Sequence, residues 1–518
     1  MRAGRFWSTS PLRLGLLPMV ALWGCGGIGP RPSRDADSGA GGSPAGSGGD
    51  AATDAYPGGR DGTGADAPAD GGGAAVLPNV LILFTDDQRF NTVNALGNPL
   101  IQTPNMDRLA RAGTAFSQAT CLGGVNGALC VSSRASLMTG RTINHLDGAG
   151  DVIPPEHTTL PEMLRQAGYV TFATGKWHSD RASFARLFDH ADNIFFGGMH
   201  FPEDGGHEHP RLYHFDPTGA YPASAQFVGD KFSSIMYADA AIGFLETLPA
   251  EGRPFFGYVA FTAPHDPRTP PAPFAAMYDA EQIPLPDNFL PQHPFDNGDL
   301  YNRDEMLLPI PRDPDQVRRQ IAAYYGMISE VDAEIGRILD TLVEQKLQDR
   351  TLVIFAGDNG LALGAHGLLG KQNLYEESLR IPMIVAGPGV AANFVDERFI
   401  HLSDLLPTVA GLLGLAPPAT SEGSPLLGPT AVGARPVGYF QYADLHRAIR
   451  TTDHWKLIGY RRGGAGAAFD HLQLFNLAND PSELFDLSGA AGYQPKLEEM
   501  LSDLAGERSR YDDPLLSP

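Results

Sequence analysis

Asp86 and Asp87 stand side by side directly after the apolar run Val80–Phe84, and Asp358-Asn359 follows a second apolar run, Thr351–Phe355. An Asp-Asp pair alone is most often a solvated turn. Two such pairs, each at the end of a buried-strand pattern, make three carboxylates and an amide oxygen that can converge. That donor set is hard and all-oxygen, suited to Ca²⁺ or Mg²⁺, and without a cation the three charges would repel. Basic residues recur in the same setting. Gly175-Lys176-Trp177-His178 follows the strand-like Tyr169–Thr174, and Pro264-His265-Asp266-Pro267 follows Phe255–Phe261. A lysine there can neutralise an anion and a histidine can carry a proton; a solvated lysine and a packed histidine are the bland alternatives.

The most specific stretch is Cys130-Val131-Ser132-Ser133-Arg134-Ala135-Ser136-Leu137-Met138-Thr139-Gly140-Arg141. A cysteine two residues before a Ser-Arg pair, then a small-residue helix start and Thr-Gly-Arg, resembles the signature of the type I (formylglycine-dependent) sulfatases of the alkaline-phosphatase-like superfamily. One position departs: Ser132 stands where the family usually has Pro or Ala. The resemblance implies that Cys130 is oxidised to formylglycine, whose hydrate attacks a sulfate ester, whereas a lone cysteine is otherwise most often a buried thiol. It also implies that Asp86, Asp87, Asp358 and Asn359, with residue 130, hold one divalent metal, Ca²⁺ with Mg²⁺ as the alternative. Arg134 would donate to the diol and the metal-bound carboxylates, or else form a surface salt bridge. Lys176 would neutralise sulfate oxygens and His178 would take a proton from the diol. His265 would act as general acid, unless it is a structural histidine between two prolines, and Lys371 in Gly370-Lys371-Gln372 would bridge the sulfate and the departing oxygen. Tyr375-Glu376-Glu377-Ser378, Arg380-Ile381-Pro382 and Asp404–Thr408 also match the family, as frame elements.

Three expectations concern recognition. His366, between Asn359 and Lys371, is a candidate pocket residue. His200, His207, His209 and His214 cluster among Gly, Pro and acidic residues, which suggests a substrate-facing loop with His200 and His207 as contacts. A surface insertion is the next reading, and a zinc site lacks both the common spacing and cysteines. The substrate expected is a sulfated small molecule or glycan, a carbohydrate sulfate first because the enzyme reads as exported, with aryl and choline sulfates left open. A phosphodiesterase or phosphonate monoester hydrolase of the same superfamily is the first alternative. A non-catalytic glycan-binding lipoprotein is the second, if Cys130 stays unmodified. A formylglycine-generating or anaerobic sulfatase-maturing enzyme is the implied partner.

These residues need a scaffold that gathers strand ends. Val80–Phe84, Tyr169–Thr174, Phe255–Phe261 and Thr351–Phe355 are continuous apolar runs, the pattern of strands buried on both faces. Helical stretches alternate with them: Pro104–Ala112, with Thr103 as N-cap and Gly113 as stop; Thr159–Ala167; and Val317–Leu347, apolar at Ile321, Tyr324, Ile328, Val331, Ile335, Ile338 and Leu342. The fold class expected is α/β, a large and mostly parallel sheet flanked by helices, with ligands at the carboxyl ends of its strands. Past Pro417 the texture changes to short strands at Val437–Tyr442, Ala448–Thr451, Trp455–Tyr460 and Gln473–Leu477, then a helix near Pro495–Ala505: a smaller antiparallel sheet.

The chain has 518 residues and a net charge of −22, from 38 basic and 60 acidic side chains. That balance argues against a nucleic-acid surface. Three cysteines are too few for a disulfide scaffold, and a Cys121–Cys130 bridge would remove the nucleophile. Residues 1–25 read as a signal peptide whose Leu22-Trp23-Gly24-Cys25 ending resembles a lipobox, with Cys25 lipidated; an ordinary signal peptide cut nearby is the alternative. Residues 26–75 are Gly, Ala, Asp, Ser and Pro, a flexible tether. Hence the organisation expected is signal peptide 1–25, tether 26–75, catalytic domain 76–417 and C-terminal subdomain 418–518. The protein would be exported and held at the membrane as a periplasmic or cell-surface lipoprotein.

Overall fold

The computed structural model describes residues 77–248, 252–433, 435–463 and 468–516. The signal peptide, Cys25 and the tether lie outside the described residues. Eight strands form the main sheet: β1 (Asn79–Thr85), β2 (Gly113–Thr120), β3 (Val170–Lys176), β4 (His190–Phe195), β5 (Phe255–Ala260), β6 (Thr351–Gly357), β7 (Met383–Ala386) and β8 (Phe394–His401). Their order is β8-β2-β7-β6-β1-β5-β3-β4. All neighbours pair in parallel except β7, which is antiparallel to both β2 and β6.

The continuous apolar runs are explained by burial on both faces. Along β1, Val80, Ile82 and Phe84 enter one core while Leu81 and Leu83 enter the other. Helix α1 (Pro104–Ala112) and the long α5 (Pro314–Glu344) cover the second face, and α2 (Leu129–Thr139) the first. The periodic face of α5 is where the spacing placed it, but both ends shift three residues toward the N-terminus. Asp313 caps it by accepting from the Gln316 amide, and Pro314 takes the first helical position. Thr103 sits at the N-cap of α1 without capping it: its hydroxyl oxygen accepts from the Asn94 amide and donates to Asp107. The next helix, α3 (Leu160–Gln166), has a complete capping box between Thr159 and Glu162.

The smaller sheet contains β9 (Val437–Tyr442), β10 (His446–Thr451), β11 (Trp455–Tyr460) and β12 (His471–Asn476), all antiparallel, in the order β12-β11-β10-β9. Its free edge takes a fifth, two-residue strand, Gly123–Gly124, parallel to β9. That pairing needs glycine, because a Cβ at Gly123 would meet the Gln441 carbonyl oxygen at 2.0 Å. Phe440, Tyr442, Ala448, Ile458 and Phe475 join the first core, whereas Tyr439, Ile449, Leu457 and Leu474 pack under α6 (Gln494–Arg510). One face of the small sheet therefore completes the main core. Among the described residues no helix is long and apolar enough to cross a membrane.

Candidate active site

Parallel register delivers the site. Thr85 pairs with Gly357, and the Asp358 amide donates to the Thr85 carbonyl at 3.0 Å, so Asp86-Asp87 and Asp358-Asn359 leave the sheet together. The Asp87 and Asn359 amides both donate to Asp358 Oδ1, each at 2.8 Å. Gly175 pairs with Ala260 one strand further on, so Lys176 and the segment leading to His265 emerge beside them. The strand at Lys176 runs two residues longer than its apolar run suggested, with a bulge between Thr174 and Gly175. Asp87 at φ 63° and His178 at φ 70° both adopt the left-handed region, which turns their side chains out of the strand direction.

Cys130 occupies the first turn of α2 and is buried. Its Sγ lies 3.3 Å from His178 Nδ1, 3.5 Å from Lys176 Nζ and 3.9 Å from Lys371 Nζ. Lys176 also donates to Asp86 Oδ2 at 2.5 Å and to the Gly198 carbonyl, and Lys371 donates to Asp87 Oδ1 at 2.6 Å. Arg134 donates to Asp358 Oδ2 at 3.0 Å and to the Lys176 carbonyl, with Asp86 at 3.7 Å. His265 Nε2 stands 3.5 Å from Asp87 Oδ2. All six basic and sulfur-bearing candidates and all four oxygen donors thus form one cluster. Cys121 and Cys130 are both free thiols, so the bridge weighed from sequence is not formed.

Electrostatics explains how so much charge is tolerated. Burial raises Asp86, but Lys176 and Arg134 outweigh it and hold the carboxyl well below its ordinary range. Asp358 goes the other way, pushed up to about 7 by burial and by the neighbouring Asp86 charge. Burial also pushes the Cys130 thiol up in spite of its two lysines, so the unmodified thiol is a poor nucleophile at neutral pH. Burial, then Lys176, lowers His178 well below its ordinary value, which leaves it neutral and able to accept a proton.

The residues fit a divalent cation. Asp86 Oδ1 and Asn359 Oδ1 are buried without a hydrogen-bond partner, a costly condition unless something meets them. Asp86, Cys130 and Asp358, and likewise Asp86, Asp87 and His265, bring ligand atoms within 4.8 Å of one another. Three carboxylates face three cationic side chains here, so a divalent cation would leave the centre net positive and receptive to an anion.

His366 separates from this cluster, whereas His200 and His207, with ring centroids 5.0 Å apart, pack behind its His265 side. His366 stacks on Tyr375 at 3.7 Å, with Nε2 against Asn288, and lines a cavity of about 500 Å³ whose walls include none of the residues around Cys130. The four histidines of the 200–214 segment do not converge. His209 and His214 are exposed, whereas His200 bonds Tyr237 and His207 bonds Ser233 and the His265 carbonyl. Both ring nitrogens of His207 are taken by protein, so it backs the His265 turn and has none free for a substrate. The pattern of histidines among Gly and Pro could not reveal this, since their partners lie on α4 (Ser233–Thr247) and in the His265 turn. Sequence reading assigned no role to Asp266, Arg303, Asp304 or Gln372, which ring the His265 side of the site.

Comparison with known proteins agrees with this geometry. The family profile described as Sulfatase matches residues 78–415, and that described as N-sulphoglucosamine sulphohydrolase, C-terminal, matches residues 364–510. An N-acetylglucosamine-6-O-sulfatase of Bacteroides thetaiotaomicron is 27% identical over 511 residues, covering 84% of this chain and 87% of that protein. The solved structure of BT4656 in complex with its substrate D-glucosamine-2-N,6-O-disulfate superposes with a TM-score of 0.69 at 24% identity, over 85% of this chain and 100% of that one. The phosphonate monoester hydrolase of Agrobacterium radiobacter superposes at 0.64 with 21% identity, over 84% and 96%. The last two likenesses bear on the fold alone. With the profile spanning most of the described residues, the chain belongs to the sulfatase family, enzymes of sulfate-ester hydrolysis within the alkaline-phosphatase-like superfamily.

Proposed function

We propose that the protein hydrolyses an O-sulfate ester of a carbohydrate, using formylglycine formed from Cys130 and one divalent cation, Ca²⁺ by preference over Mg²⁺. The observation that carries this reading is the convergence of Cys130, Lys176, His178 and Lys371 on the carboxylate cluster with its orphaned oxygens. Formylglycine would supply a hydrated aldehyde as oxygen nucleophile, and Asp86, Asp87, Asp358 and Asn359 would hold the cation, whose chemistry would be to polarise the sulfate.

The chain's own residues do the rest. Lys176 and Lys371, flanking residue 130, offset the charge that builds on sulfate oxygens and on the departing oxygen. Arg134 donates to Asp358 and to the Lys176 carbonyl, so a proposed cation ligand and the segment bearing Lys176 are held together. His178 Nδ1 faces the head of residue 130 and accepts a proton from it. His265 Nε2 gives a proton to the leaving oxygen as its bond to sulfur breaks.

Relatives named for amino-sugar 6-sulfates support a carbohydrate substrate. Export fits the same reading: Cys25 would carry the lipid of a periplasmic or cell-surface lipoprotein, and a maturing enzyme would act on Cys130. The domain division at residue 417 remains part of the proposal, the C-terminal sheet completing the core. The rival reading is a phosphodiester or phosphonate monoester hydrolase on the same cradle. Matched kinetics decide between them. Calcium-loaded enzyme should turn over nitrophenyl sulfate and 6-sulfated amino sugars with higher kcat/KM than nitrophenyl phosphate diesters or phosphonate monoesters, and the reverse order would overturn the sulfatase assignment of this site.

A further inference from the structure

The side chains expected to act on the leaving oxygen, His265 and Lys371, come from segments more than a hundred residues apart, yet one hydrogen-bonded chain joins them. His265 Nδ1 donates to the Asp266 carbonyl at 2.9 Å, with Asp266 Oδ1 at 3.3 Å. Arg303 grips both Asp266 oxygens and also donates to Asp304 Oδ1 at 3.0 Å. Asp304 Oδ2 accepts from Gln372 Nε2 at 2.7 Å, and Gln372 Oε1 accepts from the Lys371 amide at 3.0 Å. Gln372 Nε2 also reaches the Gly127 carbonyl at 3.0 Å, just before the helix that carries Cys130.

The segment bearing Arg303 is bolted to the Lys371 turn. Glu305 accepts from the amides of Leu369 and Gly370, and Arg312 holds Glu305 and the Gly367 carbonyl. Asp266, Asp304 and Gln372 are buried, while the Arg303 side chain is 46% exposed at the mouth.

We infer that Arg303 is a positioning residue: through Asp266 it orients His265, and through Asp304 and Gln372 it sets Lys371 against the same leaving oxygen. This rests on the proposed role of His265 as general acid. With Nδ1–H anchored on the Asp266 carbonyl and the Asp266 carboxylate beside it, the ring is held with Nε2 as the nitrogen that faces the site. Burial raises Asp266, but His265 and then Arg303 prevail and hold it well below the usual carboxylate range, in keeping with an ionised anchor.

In the step itself the oxygen nucleophile bonds to sulfur and gives its proton to His178, the S–O bond to the leaving group breaks, its electron pair stays on that oxygen, and the Nε2 proton passes to it. The need for that proton grows as the leaving group becomes more basic. A residue that aims the acid therefore has a signature that a merely structural residue lacks.

The test is kcat and KM for H265A, D266N, R303A and R303K on an aryl sulfate series from 4-nitrophenyl to phenyl sulfate. H265A should lose far more on phenyl than on 4-nitrophenyl sulfate. D266N and R303A should follow the same slope, losing about 10- to 100-fold in kcat on phenyl sulfate and only a few-fold on 4-nitrophenyl sulfate. KM should move little, and R303K should recover most of the loss. If R303A does not fold, D304N breaks the next link and is read in the same way. A graded H265A profile beside uniform losses in D266N and R303A overturns the positioning role alone. A flat H265A profile removes the acid itself, and both readings fall.

Discussion

Among the described residues, the buried ionic clusters around Glu376 and around Asp86 resolve their charges in opposite ways. Around Glu376, the chain answers its own carboxylates. Lys456 contacts Glu376 at 3.0 Å and Glu483 at 2.8 Å, and Arg450 contacts Glu376 at 2.8 Å. Those cations come from the small sheet, so the network ties it to the segment after Lys371. Burial raises Glu376, but Arg450 and Lys456 hold it down at about 2. Around Asp86, by contrast, lysines and an arginine are present, yet Asp86 Oδ1 and Asn359 Oδ1 still lack partners. In the first cluster the chain itself supplies cations to Glu376 and Glu483, although Glu377 Oε2 beside them has no hydrogen-bond partner. The second is held ready for a guest, and that difference separates a frame from a site.

The contrast predicts opposite phenotypes. The largest effect should come from the site: C130A or D358N should lower kcat/KM for sulfate esters by about 10³-fold or more while leaving the folded protein intact by thermal unfolding. K456M should do the reverse. It leaves Glu483 buried without its cation and Glu376 with Arg450 alone, and denaturant unfolding should read a loss of about 3–5 kcal/mol, with kcat of the surviving folded enzyme near the parent value. Equal stability losses in both variants would erase the distinction.

Glu330 on α5 sharpens it at smaller scale, because both its oxygens are buried without partners and burial pushes it up to about 8. A carboxyl raised on folding contributes fully below its unfolded value, near 4.3, and that contribution fades as pH climbs through 8. E330Q should therefore be more stable than the parent by about 1–3 kcal/mol at pH 8, with the gain vanishing near pH 4. Urea midpoints across that range check it. A gain that does not change with pH would mean that Glu330 is ionised throughout.

How much could be read beforehand depended on the range of the signal. Val80–Phe84 and Thr351–Phe355 announced a two-faced parallel sheet because apolar continuity is a local property, and the carboxylates after them inherited their place from strand register. Lys176 and His178 were legible for the same reason. The Arg303 chain was not, since residues 284–313 carry little periodicity and Asp266 gains meaning only from a partner 37 positions away. The burial of His200 and His207 was not legible, because histidines among glycines and acidic residues read as a loop that faces substrate. Tyr237 and Ser233 on α4 supply the buried partners that make them frame residues. His366 lies near Lys371 in sequence, yet its side chain meets Asn288 and Tyr375 and lines a different cavity, a placement set by partners distant in sequence.

Residue 130 itself offers the most direct measurement. Mass spectrometry of the tryptic peptide Ala112–Arg134, on preparations matured to different extents, should find formylglycine in place of the thiol. Specific activity toward sulfate esters should rise in proportion to that fraction. Full activity in protein whose Cys130 remains an intact thiol would contradict the proposed chemistry.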